Sequence, residues 1–104
     1  MKFKKKRAMQ EGDIDLDELL KKKQNGAIII DVRNKREYSE GHIEGSINIP
    51  EYEINKSFKE KFLDKNTEFV FYCLSGYRSM KACKKIKKIG YKNVFNLYGG
   101  LENY

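Results

Sequence analysis

Cys73, Gly76, Arg78 and Ser79 stand close together in the chain and are of the types that reactive thiols need around them. They lie in the run Phe69-Val70-Phe71-Tyr72-Cys73-Leu74-Ser75-Gly76-Tyr77-Arg78-Ser79. Phe69 to Tyr72 is apolar and aromatic and predicts a buried strand. Past Ser79 the apolar residues recur at helical spacing between lysines. A thiol placed after a strand and before a helix faces unpaired backbone N–H groups and the positive end of the helix dipole. Such surroundings stabilise a thiolate, which is the nucleophilic form of cysteine. Gly76 permits the positive φ that a loop needs to curl its amides around one point. Ser79 is expected to cap the helix through its hydroxyl. Arg78 is expected to place a fixed positive charge beside the thiol. The chemistry this predicts is a cysteine nucleophile whose anion is cradled by the amides of Leu74 to Arg78. A buried cysteine in an ordinary turn is the alternative, and the glycine, arginine and serine at these offsets weigh against it.

The elements needed to hold that loop are legible along the chain. Asp15 caps a helix running through Gln24, with Leu16, Leu19 and Leu20 on its apolar face and Asp17 and Glu18 in its first turn. Asn25-Gly26 ends it. Ala27 to Val32 is a continuous apolar run, as expected of a central strand covered on both faces. Arg36 to Glu40 forms a helical turn stopped at Gly41. Ser46 to Ile49 is a short strand ended by Pro50. Ile54, Phe58, Phe62 and Leu63 recur at helical spacing. Ser79 to Ile89 is a helix with Ala82, Cys83, Ile86 and Ile89 inward, and Gly90 closes it. Val94 to Leu97 is the last strand. Strands alternating with helices predict an α/β, three-layer domain: a parallel sheet of about five strands with helices on both faces. Ligands of such sheets bind beyond the carboxyl ends of the strands, where Asp31, Asn48, Cys73 and Leu97 fall.

Composition narrows the function classes. The 104 residues suffice for one domain with a single core. Residues 1–13 read as a polar, basic arm and 14–104 as the domain. The two cysteines, Cys73 and Cys83, lack metal-ligand spacing, and no metal is expected. Cys83 falls on the apolar face of its helix and reads as a core residue. His42 is the single histidine. A reducing, cytoplasmic setting is the simplest context for two free thiols. Lys and Arg number 22 against 15 Asp and Glu, a net charge of +7. No nucleic-acid motif accompanies that charge, so it reads as a solvated face that draws small anions or an acidic partner, with no nucleic-acid role expected. Lys2 to Arg7 is not followed by an apolar signal core, and no run approaches the roughly 20 apolar residues of a membrane span.

Taken together, the motifs resemble the rhodanese domain, a sulfurtransferase module. Cys73, Gly76, Arg78 and Ser79 match its C-x-x-G-x-R-S loop. Ile28-Ile29-Ile30-Asp31-Val32-Arg33 with Glu37-Tyr38 resembles its first signature. Gly41-His42-Ile43-Glu44-Gly45-Ser46-Ile47-Asn48-Ile49-Pro50 resembles its G-H-I-x-G-A-x-N-I-P segment. Gly90 to Val94, then Asn96-Leu97-Tyr98-Gly99-Gly100, resembles its last strand and glycine turn. The likeness spans about Ile14 to Tyr104. Ser46 stands where alanine is usual and Tyr104 where tryptophan is common, and a terminal helix carried by many relatives is missing, which is expected to leave the C-terminal edge less covered.

The resemblance implies an enzyme of the thiosulfate sulfurtransferase class, with no cofactor. Cys73 would take a sulfane sulfur from a small donor such as thiosulfate or a persulfide, hold it as a cysteine persulfide, and pass it to a thiol or cyanide. A sulfur-relay protein is a further candidate partner. Arg78 would assist, and Leu74, Ser75, Gly76, Tyr77 and Ser79 would line the persulfide loop. Leu74, Ser75 and Tyr77 would set acceptor choice. Asp31, Arg33 and Glu37 would organise the surroundings, with Glu37 paired to Arg78. A non-catalytic binding module is the alternative. A cysteine phosphatase or arsenate reductase is a more distant one, because those enzymes use a loop one residue longer.

Overall fold

The computed structural model describes residues 7–104. The basic run from Lys2, apart from Arg7, lies outside the described residues. The elements follow in the order β1 (Asp13–Ile14), α1 (Leu16–Gln24), β2 (Ile28–Asp31), α2 (Lys35–Glu40), β3 (Ile47–Asn48), α3 (Ile54–Lys61), β4 (Phe69–Tyr72), α4 (Tyr77–Lys88) and β5 (Val94–Leu97). Short 3-10 turns cover Glu51–Glu53 and Leu101–Asn103. The strands form one parallel sheet in the order β1-β5-β4-β2-β3. The strand that delivers Cys73 is thus the middle one, and β2 lies beside it.

Alternation along β4 separates two cores. Phe69, Phe71 and Cys73 face one layer, where Ile54 and Phe58 of α3 and Ala82, Cys83 and Ile86 of α4 pack on Ile30, Val32, Ile49, Tyr91 and Val94. Val70 and Tyr72 face the other, with Ile14, Leu19, Ile29 and Leu97. Phe58 is fully buried, with the rings of Phe62, Phe69, Phe71 and Tyr91 around it at 4.8–5.6 Å. Burial of side chains of this size, at about 1.5–3 kcal/mol each, is what holds the helices to the sheet.

Local signals account for the helix ends. Asp15 Oδ1 accepts from the Glu18 amide at 2.9 Å and starts α1. Asn34 and Glu37 make a reciprocal capping box at the start of α2. Helix α4 differs from expectation. It begins at Tyr77, directly after Gly76, which lies in the left-handed region at φ +91°. Ser79 is already inside the first turn and does not cap it. The Cys73 sulfur, accepting from the Ser79 amide at 3.4 Å, takes the place a side-chain cap would otherwise fill. Leu63 also departs from the helical pattern. Helix α3 ends at Lys61, and Leu63 is 84% exposed.

Candidate active site

The carboxyl ends of β2, β4 and β5 bring the loop and its supports together. Register pairs Asp31 with Tyr72 and Phe71 with Asn96, so Cys73 leaves the sheet between β2 and β5. Cys73 is fully buried. Its Sγ accepts from the Gly76 amide at 3.1 Å and from the Ser79 amide at 3.4 Å. The Ser79 Oγ lies 3.4 Å from the same sulfur. Both amides belong to the turn that opens α4, where the helix dipole adds its positive end. Of the amides expected to cradle the sulfur, those of Leu74 to Arg78, only that of Gly76 bonds it; the second donor is the Ser79 amide, one residue beyond that range.

The loop is clamped from below by the last turn of the chain. The Leu101 amide donates to the Cys73 carbonyl and the Glu102 amide to the Leu74 carbonyl, each at 3.0 Å. This approach is possible because Gly100 has no side chain; a Cβ there would overlap the Leu74 carbonyl. Leu74 and Tyr77 remain exposed, at 43% and 45%. Ser75 is half-buried.

Arg78 pairs with Glu37, the partner the resemblance implied. Its guanidinium is held in a bidentate pair by Glu37, Nη1 to Oε1 at 2.8 Å and Nη2 to Oε2 at 3.0 Å. It makes no hydrogen bond with the thiol. A fork-to-fork pair with the carboxylate holds the guanidinium, and the bond to Glu37 foremost, with the charge of Cys73 a smaller cause, raises the Arg78 pKa. The hydrogen bonds from Arg78 pull the Glu37 carboxyl down to about 2, against an opposing effect of burial and with help from the Asn34 amide.

Asp31 and Arg33 grip each other. Arg33 Nε and Nη2 reach the Asp31 carboxylate at 2.8–3.2 Å, and Nη2 also donates to the Gly41 carbonyl at 2.6 Å. Asn48 Nδ2 donates to the Asp31 and Arg33 carbonyls. The pair stiffens the β2–α2 turn, which carries Glu37 to Arg78, and does not contact the sulfur. The Ser46 hydroxyl bonds the buried Tyr72 hydroxyl at 3.0 Å, which also accepts from the Ile43 amide. The serine in place of the usual alanine thus serves a partner that this chain supplies. Burial pushes the Tyr72 phenol up to about 12. Burial likewise pushes the Cys83 thiol up to about 12, and its Sγ donates to the Phe95 carbonyl at 3.3 Å. Cys83 is a core residue. His42 stacks on Tyr38, and its Nδ1 bonds the Tyr38 carbonyl, away from the thiol.

Two polar residues escaped the sequence reading. Asn96 is buried in β5, where Ser79 Oγ donates to its Oδ1 at 2.5 Å. Its Nδ2 donates to Asp13 Oδ1 at 3.1 Å. The signal available for Asn96 was a polar residue inside the apolar strand Val94 to Leu97.

The sequence profile of the rhodanese-like domain matches residues 15–104. The chain belongs to the rhodanese-like domain family. Among solved rhodanese-like structures, the human single-domain sulfurtransferase TSTD1 superposes with a TM-score of 0.76 at 27% identity, over 88% of this chain and 92% of that one. A rhodanese-like domain protein from Staphylococcus aureus superposes with a TM-score of 0.76 at 30% identity, over 86% of each chain. The tRNA uridine(34) hydroxylase of Buchnera aphidicola is 34% identical over 86% of this chain, which spans 30% of that longer protein. Among the described residues, no helix of this rhodanese-like domain is long and apolar enough to cross a membrane.

Proposed function

We propose that this rhodanese-like domain is a sulfurtransferase that carries a sulfane sulfur as a persulfide on Cys73. The observation that carries the reading is the pair of amides, from Gly76 and Ser79, converging on a buried cysteine sulfur. Fixed N–H donors of this kind stabilise negative charge on sulfur without reorganisation during the reaction.

The Cys73 thiolate attacks the outer sulfur of thiosulfate. The S–S bond of the donor breaks and sulfite leaves with its electron pair. The enzyme then holds Cys73–S–S⁻. An acceptor thiolate attacks the terminal sulfur, the Cys73 thiolate leaves, and the acceptor departs as a persulfide. With cyanide the product is thiocyanate. A persulfide donor enters by the same exchange, and a cysteine of a sulfur-relay protein serves as acceptor in the same way. Arg78, released from Glu37, is placed to meet an anionic donor. Leu74 and Tyr77, the exposed side chains of the loop, are the groups an incoming donor meets first. The loop holds four residues between Cys73 and Arg78, Leu74 to Tyr77. That suits one sulfur atom better than the tetrahedral oxyanion of a phosphatase.

The test is mass spectrometry after exposure to thiosulfate. The peptide bearing Cys73 should gain the mass of one sulfur and lose it on addition of cyanide. Cys73→Ser should neither gain sulfur nor turn over, and Cys83→Ser should retain both properties. Turnover by folded Cys73→Ser would reject the reading. Parallel hydrolysis of a phosphate ester, without sulfur gain, would replace it with the phosphatase.

A further inference from the structure

The hydroxyl of Ser79 sits beside the reactive sulfur, and its one proton can serve only one neighbour. Asn96 decides which. On one side of its amide lie two acceptors, Asp13 Oδ1 at 3.1 Å and the Gly76 carbonyl at 3.4 Å. Asp13 has no donor to offer. Its Oδ1 also accepts from Arg7 Nη2 at 2.8 Å, and its Oδ2 accepts from Arg7 Nη1 and the Gln10 amide. Asn96 must therefore turn its NH₂ toward Asp13, which leaves Oδ1 facing Ser79. An amide oxygen only accepts, so Ser79 donates to Asn96.

We propose that Asp13, acting through Asn96, turns the Ser79 hydroxyl away from the Cys73 sulfur, so that the sulfur meets an oxygen lone pair where it would otherwise meet a proton. A neutral S–H satisfies that oxygen by donating to it. A sulfur anion does not. Asp13 and Asn96 are thus positioning residues that hold back one of the donors lying within reach of the reactive atom. Burial pushes the Asp13 carboxyl up, but the bonds from Arg7, Gln10 and Asn96 outweigh it and keep the carboxyl below the usual carboxylate range, so it stays an acceptor at neutral pH. The inference rests on Cys73 being the reactive sulfur, as proposed above.

The experiment is iodoacetamide labelling at pH 7, read by peptide mass spectrometry for each cysteine. A hydrogen bond to a charged group shifts an equilibrium by about tenfold or more, which sets the scale. Asp13→Asn gives position 13 a donor and removes the nearer, charged acceptor of the Asn96 NH₂, leaving only the long contact to the Gly76 carbonyl at 3.4 Å, so the Asn96 amide can reverse and free the Ser79 proton for the sulfur. Labelling of Cys73 should rise about tenfold while Cys83 stays unlabelled. In a Ser79→Ala background the same Asp13→Asn change should have no effect. Ser79→Ala takes the opposing lone pair from the sulfur and the donor from Asn96 Oδ1, removes no hydrogen bond to the sulfur anion, and should leave Cys73 labelling equal or faster. Asn96→Ala frees the hydroxyl by another route and serves where Asp13→Asn does not fold. Slower labelling in Ser79→Ala would overturn the proposal, because it would show that the hydroxyl already donates to the sulfur. A rise in Asp13→Asn that persists without Ser79, or that Cys83 shares, would overturn it as well, since loosening of the loop would then be the cause. Labelling needs no turnover, so these outcomes are separate from the fate of Cys73→Ser in sulfur transfer.

Discussion

At the level of single residues, the two thiols differ by their neighbours. Cys73 receives two amide bonds, whereas Cys83 is surrounded by the core and offers its proton to a carbonyl. With the Cys83 thiol pushed up to about 12, it holds almost no thiolate at pH 7. Cys73 should therefore be alkylated faster than Cys83 in the folded protein, and the two rates should converge in denaturant. Glu37 sets a second expectation. Its carboxyl lies at about 2 in the fold, against about 4.3 for an unperturbed glutamate. A depressed acid contributes stability that is present above the ordinary carboxylate range and lost as pH falls toward 2. The bond to Arg78 should stay intact from pH 5 upward. A carboxyl carbon titration by NMR should place the Glu37 midpoint near 2, and Arg78→Ala should return it toward the ordinary value. The energy at stake is small, because both partners are partly exposed. The pair matters more for where Arg78 waits than for stability.

At the level of elements, the site depends on two contacts that sheet order makes possible. One is the seat of the Cys73–Leu74 carbonyls on the amides of Leu101 and Glu102. Gly100→Ala should push the Leu74 carbonyl away and loosen the loop. Sulfur transfer should fall at least tenfold while circular dichroism stays folded, because the sheet itself is not touched. The other is the tie between β4 and the segment before β3, made by Tyr72 with Ser46 and Ile43. Tyr72→Phe strands the half-buried Ile43 amide and the buried Ser46 hydroxyl and should cost about 1–3 kcal/mol in urea unfolding. Adding Ser46→Ala should cost less than in the parent protein, since its partner is already gone.

At the level of the whole molecule, charge and topology act together. The net charge of +7 includes the lysines of α4, the helix whose first turn holds the sulfur. A field of that sign speeds the approach of anions and is screened by salt. The second-order rate with thiosulfate should drop several-fold from low salt to about 1 M, where the Debye length is about 3 Å. A neutral acceptor thiol should show little change. Equal salt dependence for both would mean that the field does not steer the donor.

The loop, its strand and its helix were legible in the sequence because they are local. Phe69 to Tyr72 alternates between two cores, Gly76 permits the turn that only glycine makes easily, and the lysine-edged pattern from Tyr77 to Lys88 has one apolar face. The pairing of Glu37 with Arg78 was legible only through family resemblance, since the two lie on different elements. Tertiary structure alone decided the rest. The sequence reading placed the Arg78 charge beside the thiol, and only the fold shows that a carboxylate from α2 grips the guanidinium with both oxygens. Ser79 read as a cap, yet its hydroxyl is spent on Asn96. Asp13 and Asn96 were invisible as site residues, because β1 and β5 meet only when the sheet closes and Asn96 lies 83 residues after Asp13. Hydrogen-bond polarity is a property of a closed network, and the partners that set it here come from β1, α4 and β5.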